Sequence, residues 1–336
     1  MRIERQMRND SIQNLRGISA MMVFFSHALM MYRNEAINSL YHSPFHFFFD
    51  GSVAVYVFFA ISGFFYYKDT NYSTRNYVKG IGRKIKKIYP SHFVVLIIAT
   101  ILCNMHLDYP RESITDWGNG FWHQEISIEE VLKQSLILFP RDTLLINPPS
   151  WYLNIEVTMF LAMPFVVSVF NKIGWRWSIL LYVFSFITGF FRGISYYSIA
   201  AYAHYLICND KMGIRYFLEK RHMKTILLSV AVLMINNCNE IVLPDDVSVM
   251  MKAVGAAILV VIVFVTPFSY KPLKYIGNIS YEFYLIHFPI LLTMRTFGVS
   301  HSLYILLSLT ITIVGAFILD KMNRSIWDMK VIRCNI

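Results

Sequence analysis

Apolar residues run along this chain in long, nearly unbroken stretches, and polar residues collect between them. A stretch of about 17–25 residues is long enough to cross a hydrocarbon core. Such stretches fall at 15–34, 49–67, 90–106, 151–170, 175–191, 193–209, 224–242, 247–268, 275–295 and 301–320. The span at 193–209 is short and rich in Tyr. The pattern predicts an all-α, polytopic transmembrane helix bundle of about ten spans. It also predicts a single integral-membrane domain over residues 1–336, with no soluble C-terminal domain. A charged N-terminus with no small-residue cleavage site after it predicts no cleavable signal peptide. No internal repeat is visible, which gives an inverted-repeat transporter no direct support.

Two connections stand out. Loop 68–89 ends in the basic run Arg83-Lys-Ile-Lys-Lys-Ile-Tyr-Pro90. Segment 107–150 is the longest and is acidic, and 126–139 reads as a short amphipathic helix lying on the outer surface or dipping into the bundle. Asn147-Pro-Pro-Ser-Trp-Tyr152 reads as a turn into the fourth span.

Composition agrees with a membrane protein: 56% of residues are hydrophobic and 15% charged, where a soluble domain carries roughly a quarter charged. A net charge of +10 is compatible with a nucleic-acid partner, but its distribution argues against one. With the N-terminus in the cytoplasm, most of the 31 Lys and Arg fall on the cytoplasmic side. Outside remain Arg33, Arg111, Lys133, Arg141, Arg192, Lys252 and Arg295. The positive-inside rule then puts both termini in the cytoplasm, with basic loops facing lipid headgroups or an anionic ligand. The four cysteines, Cys103, Cys208, Cys238 and Cys334, lack metal-ligand spacing, and no metal site is expected.

Five polar elements sit where lipid-facing residues should not. Arg16 and His27 in the first span are eleven residues apart, so in a straight helix they share a face about 16 Å apart along the axis. Arg16 alone could snorkel to headgroups and His27 alone could be a satisfied helix contact; together they line something polar. In the second span, Ser62-Gly63 suits close helix packing or a hydroxyl bond across an interface, and Asp50 sits at its outer mouth. The run Arg83, Lys84, Lys86, Lys87 is either an inside-positive anchor or a grip for phosphates. Glu156, a turn after Trp151-Tyr152, is a carboxylate at outer-leaflet depth. Last comes Gly277-Asn-Ile-Ser-Tyr-Glu-Phe-Tyr-Leu-Ile-His-Phe-Pro289: His287 falls near mid-membrane, Glu282 on a different face, and Pro289 should kink the helix and free backbone groups.

The order of these elements is more specific than any one of them. Arg-x10-His, then Phe-Phe-x-x-Ser-Gly, a basic cluster ending in Tyr-Pro, Trp-Tyr-x-x-x-Glu and Gly-x-x-Ser-Tyr-x-x-Tyr-Leu-x-His form one series from about Asn14 to Asp320. The series resembles the membrane-bound acyltransferase family 3, bacterial enzymes that O-acylate surface glycans. The resemblance implies acetyl-CoA or another acyl-CoA as cytoplasmic co-substrate, with no tightly bound cofactor. It implies a hydroxyl of an O-antigen, capsule or exopolysaccharide, or of its lipid-linked precursor, as acceptor, and an inner-membrane location. It assigns catalytic roles to His27, Arg16, Glu156 and His287. Donor binding falls to Arg16, Arg83, Lys84, Lys87 and Ser62. Two positions depart from the family pattern: Lys87 stands where Arg is common, and Gly51-Ser-Val-Ala-Val-Tyr56 replaces the usual Gly-Val-Asp run.

On this reading the coenzyme's phosphates rest on the basic residues, and its arm reaches His27. That imidazole then either deprotonates the acceptor or takes the acyl group itself. A transporter or flippase of a lipid-linked glycan is the alternative, with the histidines as a proton pathway.

Overall fold

A computed structural model describes residues 2–31, 39, 43, 45–66, 74–105, 115–122, 125–137, 146–188, 192–209, 213–236 and 245–333. In chain order its α-helices are α1 (Arg2–Met30), α2 (Gly51–Tyr66), α3 (Thr74–Asn104), α4 (Asp116–Asn119), α5 (Ile128–Ser135), α6 (Trp151–Ile173), α7 (Trp177–Thr188), α8 (Arg192–Cys208), α9 (Ile214–Glu219), α10 (Arg221–Asn236), α11 (Asp245–Val265), α12 (Lys271–Asn278), α13 (Ser280–Met294) and α14 (His301–Arg333). Among the described residues there is helix and no strand. Among the described residues, four stretches are long and apolar enough to span a bilayer: Tyr77–Asn104, Pro148–Ile173, Val247–Val265 and His301–Ile326. Gly51–Tyr66 and Trp177–Thr188 are shorter apolar helices.

Several expected boundaries move. The loop expected at 68–89 is helical from Thr74, so the basic run lies inside α3. The ninth span is two helices, α12 and α13, broken at Ile279. Parts of segment 107–150 (107–114, 123–124 and 138–145), together with Cys238 and Cys334, lie outside the described residues.

The distribution of side chains is inverted relative to a water-soluble bundle. Ile97 and Ile101 on α3, Phe165 and Val169 on α6, Leu180 and Phe184 on α7, and Ile311, Val314 and Ile318 on α14 are exposed. Ser91, His92, Ser178, Ser185, Ser195, Ser198, Ser308 and Thr312 are buried. Helices in hydrocarbon satisfy their own backbones and turn polar side chains inward, which accounts for this arrangement.

The chain divides into two compact units, with boundaries inside α1, α3, α6 and α12. The first comprises residues 1–23, 39–77 and 158–277. Its core joins Ile12 and Leu15 of α1, Ile61 and Phe64 of α2, Ala200 of α8 and Val260 of α11. Glycines set the spacing there. A Cβ on Gly63 would meet the backbone of Tyr197, and one on Gly277 the backbone of Gln13. Gly63 thus serves the close packing its sequence context predicts. Ser11 Oγ donates to the Phe268 carbonyl (2.8 Å) and accepts from the Phe268 amide (2.7 Å), and Asn14 donates to the same carbonyl. Asp50 is buried: it accepts from the Ser52 and Val53 amides at the start of α2 and pairs with Lys252 Nζ at 2.6 Å.

The second unit comprises residues 24–38, 78–157 and 278–336. Gln134, near the end of α5, is its polar node. Its amide nitrogen donates to the Asn147 carbonyl and Ser150 Oγ (both 3.2 Å), its oxygen accepts from the Ile146 amide (3.3 Å), and its own carbonyl meets His92 Nε2 at 3.1 Å. The capping box of Ser127 and Glu130 starts α5. Its apolar row Ile128, Leu132, Leu136 faces outward, as suits a helix lying in an interface. On its outer surface Lys133 lies 2.5 Å from Glu129 and holds that carboxyl below its ordinary pKa.

Candidate active site

His27 and His287 meet in the second unit, with His27 Nδ1 2.8 Å from His287 Nε2. The rings are within 4° of one plane and their centroids are 5.1 Å apart. That centroid distance exceeds the nitrogen separation by what two ring radii add, so the rings lie edge to edge along a straight hydrogen bond. The partners fix the tautomers. His287 Nδ1 is 2.6 Å from the Tyr284 carbonyl, an acceptor only, so Nδ1 carries the proton. His287 Nε2 must then accept, and His27 donates to it through Nδ1–H. His27 Nε2 is left as a lone pair without a hydrogen-bond partner among the described residues.

Sequence chemistry places His287. Pro289 has no amide hydrogen, which removes the helical bond to the carbonyl four residues back, that of Leu285. Asn147 Nδ2 donates to that freed carbonyl at 3.0 Å. Tyr284 Oη donates to the Pro149 carbonyl at 3.0 Å. The turn at 146–150 is thereby stapled to the face of α13 beside His287, and α13 runs on through Pro289.

Around His27 the walls are aromatic. Trp117 lies near-parallel to its ring (23°, centroids 5.7 Å), and Phe288 meets it edge-on at 5.2 Å. Phe121 closes on Trp117 and Phe288, both at 5.0 Å. Sequence reasoning singled out none of these rings. Trp117 sits in a short helix of the acidic loop, where nothing in the local pattern points inward.

Lys84 and Glu156 are brought together, Nζ to Oε1 at 2.5 Å, with Tyr152 Oη donating to Oε2 at 3.3 Å. Lys84 was expected at the cytoplasmic face and Glu156 on the outer side, and their contact rules out that separation. Because α3 begins at Thr74, Lys84 is already a helical residue ten positions in, and it turns toward α6. Arg83, Lys86 and Lys87 remain on the exposed face of α3. Glu282 is buried, with Ser91 Oγ 3.5 Å from its carboxylate. Around Pro90, the Lys87 carbonyl accepts from Asn323 and the Ile88 carbonyl from Tyr281.

Arg16 and Ser62 belong to the first unit, and both are half-buried. The helix that carries Arg16 is unbroken through His27. Among the described residues no group of three or more His, Cys, Asp or Glu is placed to hold a metal ion.

A helical chain with apolar faces outward and a histidine pair inside is that of a multi-pass membrane protein. A family model described as an acyltransferase domain matches residues 9–321, and the chain belongs to that family, acyltransferase 3. It is a membrane acyltransferase, and the transporter reading gives way. Searches among curated proteins and among solved structures return no match.

Proposed function

We propose that this acyltransferase moves a short acyl group, acetyl in the simplest case, from a cytoplasmic acyl-CoA to a hydroxyl of a surface polysaccharide or its lipid-linked precursor, in a bacterial inner membrane. The observation that carries the chemistry is the in-line His27–His287 pair. His27 Nε2 takes the acceptor's hydroxyl proton as the oxygen attacks the thioester carbonyl. Collapse of the tetrahedral adduct breaks the carbon–sulfur bond, and the same nitrogen returns the proton to the departing thiolate. During the step His27 is positively charged, and its Nδ1–H bond to His287 Nε2 becomes charge-assisted. His287 therefore orients and stabilises the base, the part a carboxylate plays in other catalytic dyads. General-base help of this kind contributes about 10²–10⁴-fold.

The exposed cations Arg83, Lys86 and Lys87 suit the coenzyme's phosphates, as does their spacing on one face of α3. Lys84 serves with them only when it leaves Glu156. For Arg16 and Ser62 the proposed donor-binding roles rest on the family pattern alone.

The test supplies purified protein in lipid vesicles with acetyl-CoA labelled in the acetyl group and a bacterial glycan fraction. Label in alkali-labile ester on glycan, with one free thiol released per ester, is the expected result. Intact acetyl-CoA after incubation with varied glycans and acyl donors would overturn the proposal.

A further inference from the structure

Arg295 looks in the sequence like an ordinary charge in an outer loop. In the structure it is 2% exposed, at the C-terminal end of α13. Its guanidinium donates through Nη1 to the Gly118 carbonyl and through Nη2 to the Phe121 carbonyl, the latter at 2.9 Å. A guanidinium has only donors and is costly to bury, so two carbonyls aimed at it are a built arrangement. These carbonyls belong to the segment that carries Trp117 and Phe121. The other end of that segment is also tied down. Thr115 Oγ1 donates to the Met30 carbonyl (2.6 Å) and accepts from the Gly118 amide (3.0 Å), and its own amide donates to the Met31 carbonyl (3.1 Å). Met30 and Met31 follow His27 on the same stretch of chain.

We infer that Arg295 is a positioning residue: it clamps segment 115–121 as a cover whose aromatic face closes over His27. The Trp117 ring of this cover lies 5.7 Å from the imidazole centre and, with Phe288 of α13 as the neighbouring wall at 5.2 Å, displaces water from the base. Water is the chief competitor of a glycan hydroxyl for a thioester, because it can be deprotonated by the same nitrogen and gives free acid and thiol instead of ester. The cover thus favours transfer over hydrolysis. Arg295 suits the clamp because its fork spans two carbonyls that a lysine could bind only one at a time.

The inference rests on His27 being the reacting base, so its test includes a readout independent of turnover. Full-length protein in lipid vesicles is treated with diethyl pyrocarbonate, and modification of the His27 peptide is followed by mass spectrometry. Arg295→Gln should speed that modification at least about fivefold by raising the open population, with Arg295→Lys intermediate. Hydrolysis of acetyl-CoA relative to ester formation should rise in the same order. Thr115→Val releases the opposite end of the cover and should act in the same direction; it decides the matter if Arg295→Gln does not fold. An unchanged His27 modification rate in the folded variants would overturn the clamp. Faster modification in variants of a wild-type protein that never cleaves acetyl-CoA would leave the clamp standing and sink the acyltransfer chemistry proposed above.

Discussion

His27 presents its lone pair at Nε2 because His287 accepts from its Nδ1–H, and His287 accepts there because the Tyr284 carbonyl holds the proton on His287 Nδ1. Both histidines were legible in the sequence as polar residues at mid-span. Their pairing was not, because 260 positions separate them and one sequence gives no register between helices. Replacing His287 should cost less than replacing His27: the base survives without its partner but loses orientation and charge sharing. His287→Ala is expected to lower turnover about 10–100-fold, and His287→Gln, which keeps an acceptor near the position of Nε2, to recover part of it. Initial rates of ester formation at saturating donor check this ordering. Lys84 and Glu156 give a second test at this scale. Either single change, Lys84→Met or Glu156→Leu, strands a partly buried charge, whereas the double change removes both. The double variant should be the more stable, by about 1–2 kcal/mol after allowance for the partial exposure of Lys84, and thermal unfolding in detergent measures it.

Helix ends and breaks account for most of what the sequence misplaced. Periodicity located the cores of α2, α6, α8, α11 and α14, because apolar length is a strong signal. It did not show that α3 starts at Thr74, since a basic run is equally at home in a loop or on a helix face. Nor did it show the break at Ile279, where α12 ends with Gly277 pressed on α1. The proline signal was legible in one of its two parts: the carbonyl that Pro289 frees is the one Asn147 binds, while α13 runs on through Pro289. Packing at the glycines is tight enough to test. Gly277→Ala would drive a methyl into the Gln13 backbone, and main chain cannot rotate away as a side chain can. A loss of roughly 1–3 kcal/mol is expected, read as a lower melting temperature in detergent. Gln134→Ala would leave the Ile146 amide, the Asn147 carbonyl and the Ser150 hydroxyl without this partner, with a similar expected loss of about 1–3 kcal/mol by the same assay.

Across the whole molecule, the exposed isoleucines and phenylalanines and the buried serines and histidines follow from a solvent of lipid, and composition alone announced that solvent. Donor capture belongs to this scale as well, since an anionic coenzyme responds to a cationic face rather than to one residue. Exposed charges are screened within a Debye length of about 8–10 Å at 0.1–0.15 M salt. The KM for acetyl-CoA should therefore rise with ionic strength, and Arg83→Ala with Lys87→Ala should raise it further while flattening its salt dependence. Catalysis by the histidine pair should be left largely intact in that variant, which steady-state kinetics across a salt series would show as a nearly constant kcat. The central claim is narrower: one imidazole nitrogen moves the proton. The most direct measurement is single-turnover ester formation by His27→Ala and wild-type protein, both matched for amount and folding in vesicles. The account predicts a fall of about 10²-fold or more in the variant; ester formation at the wild-type rate would contradict it.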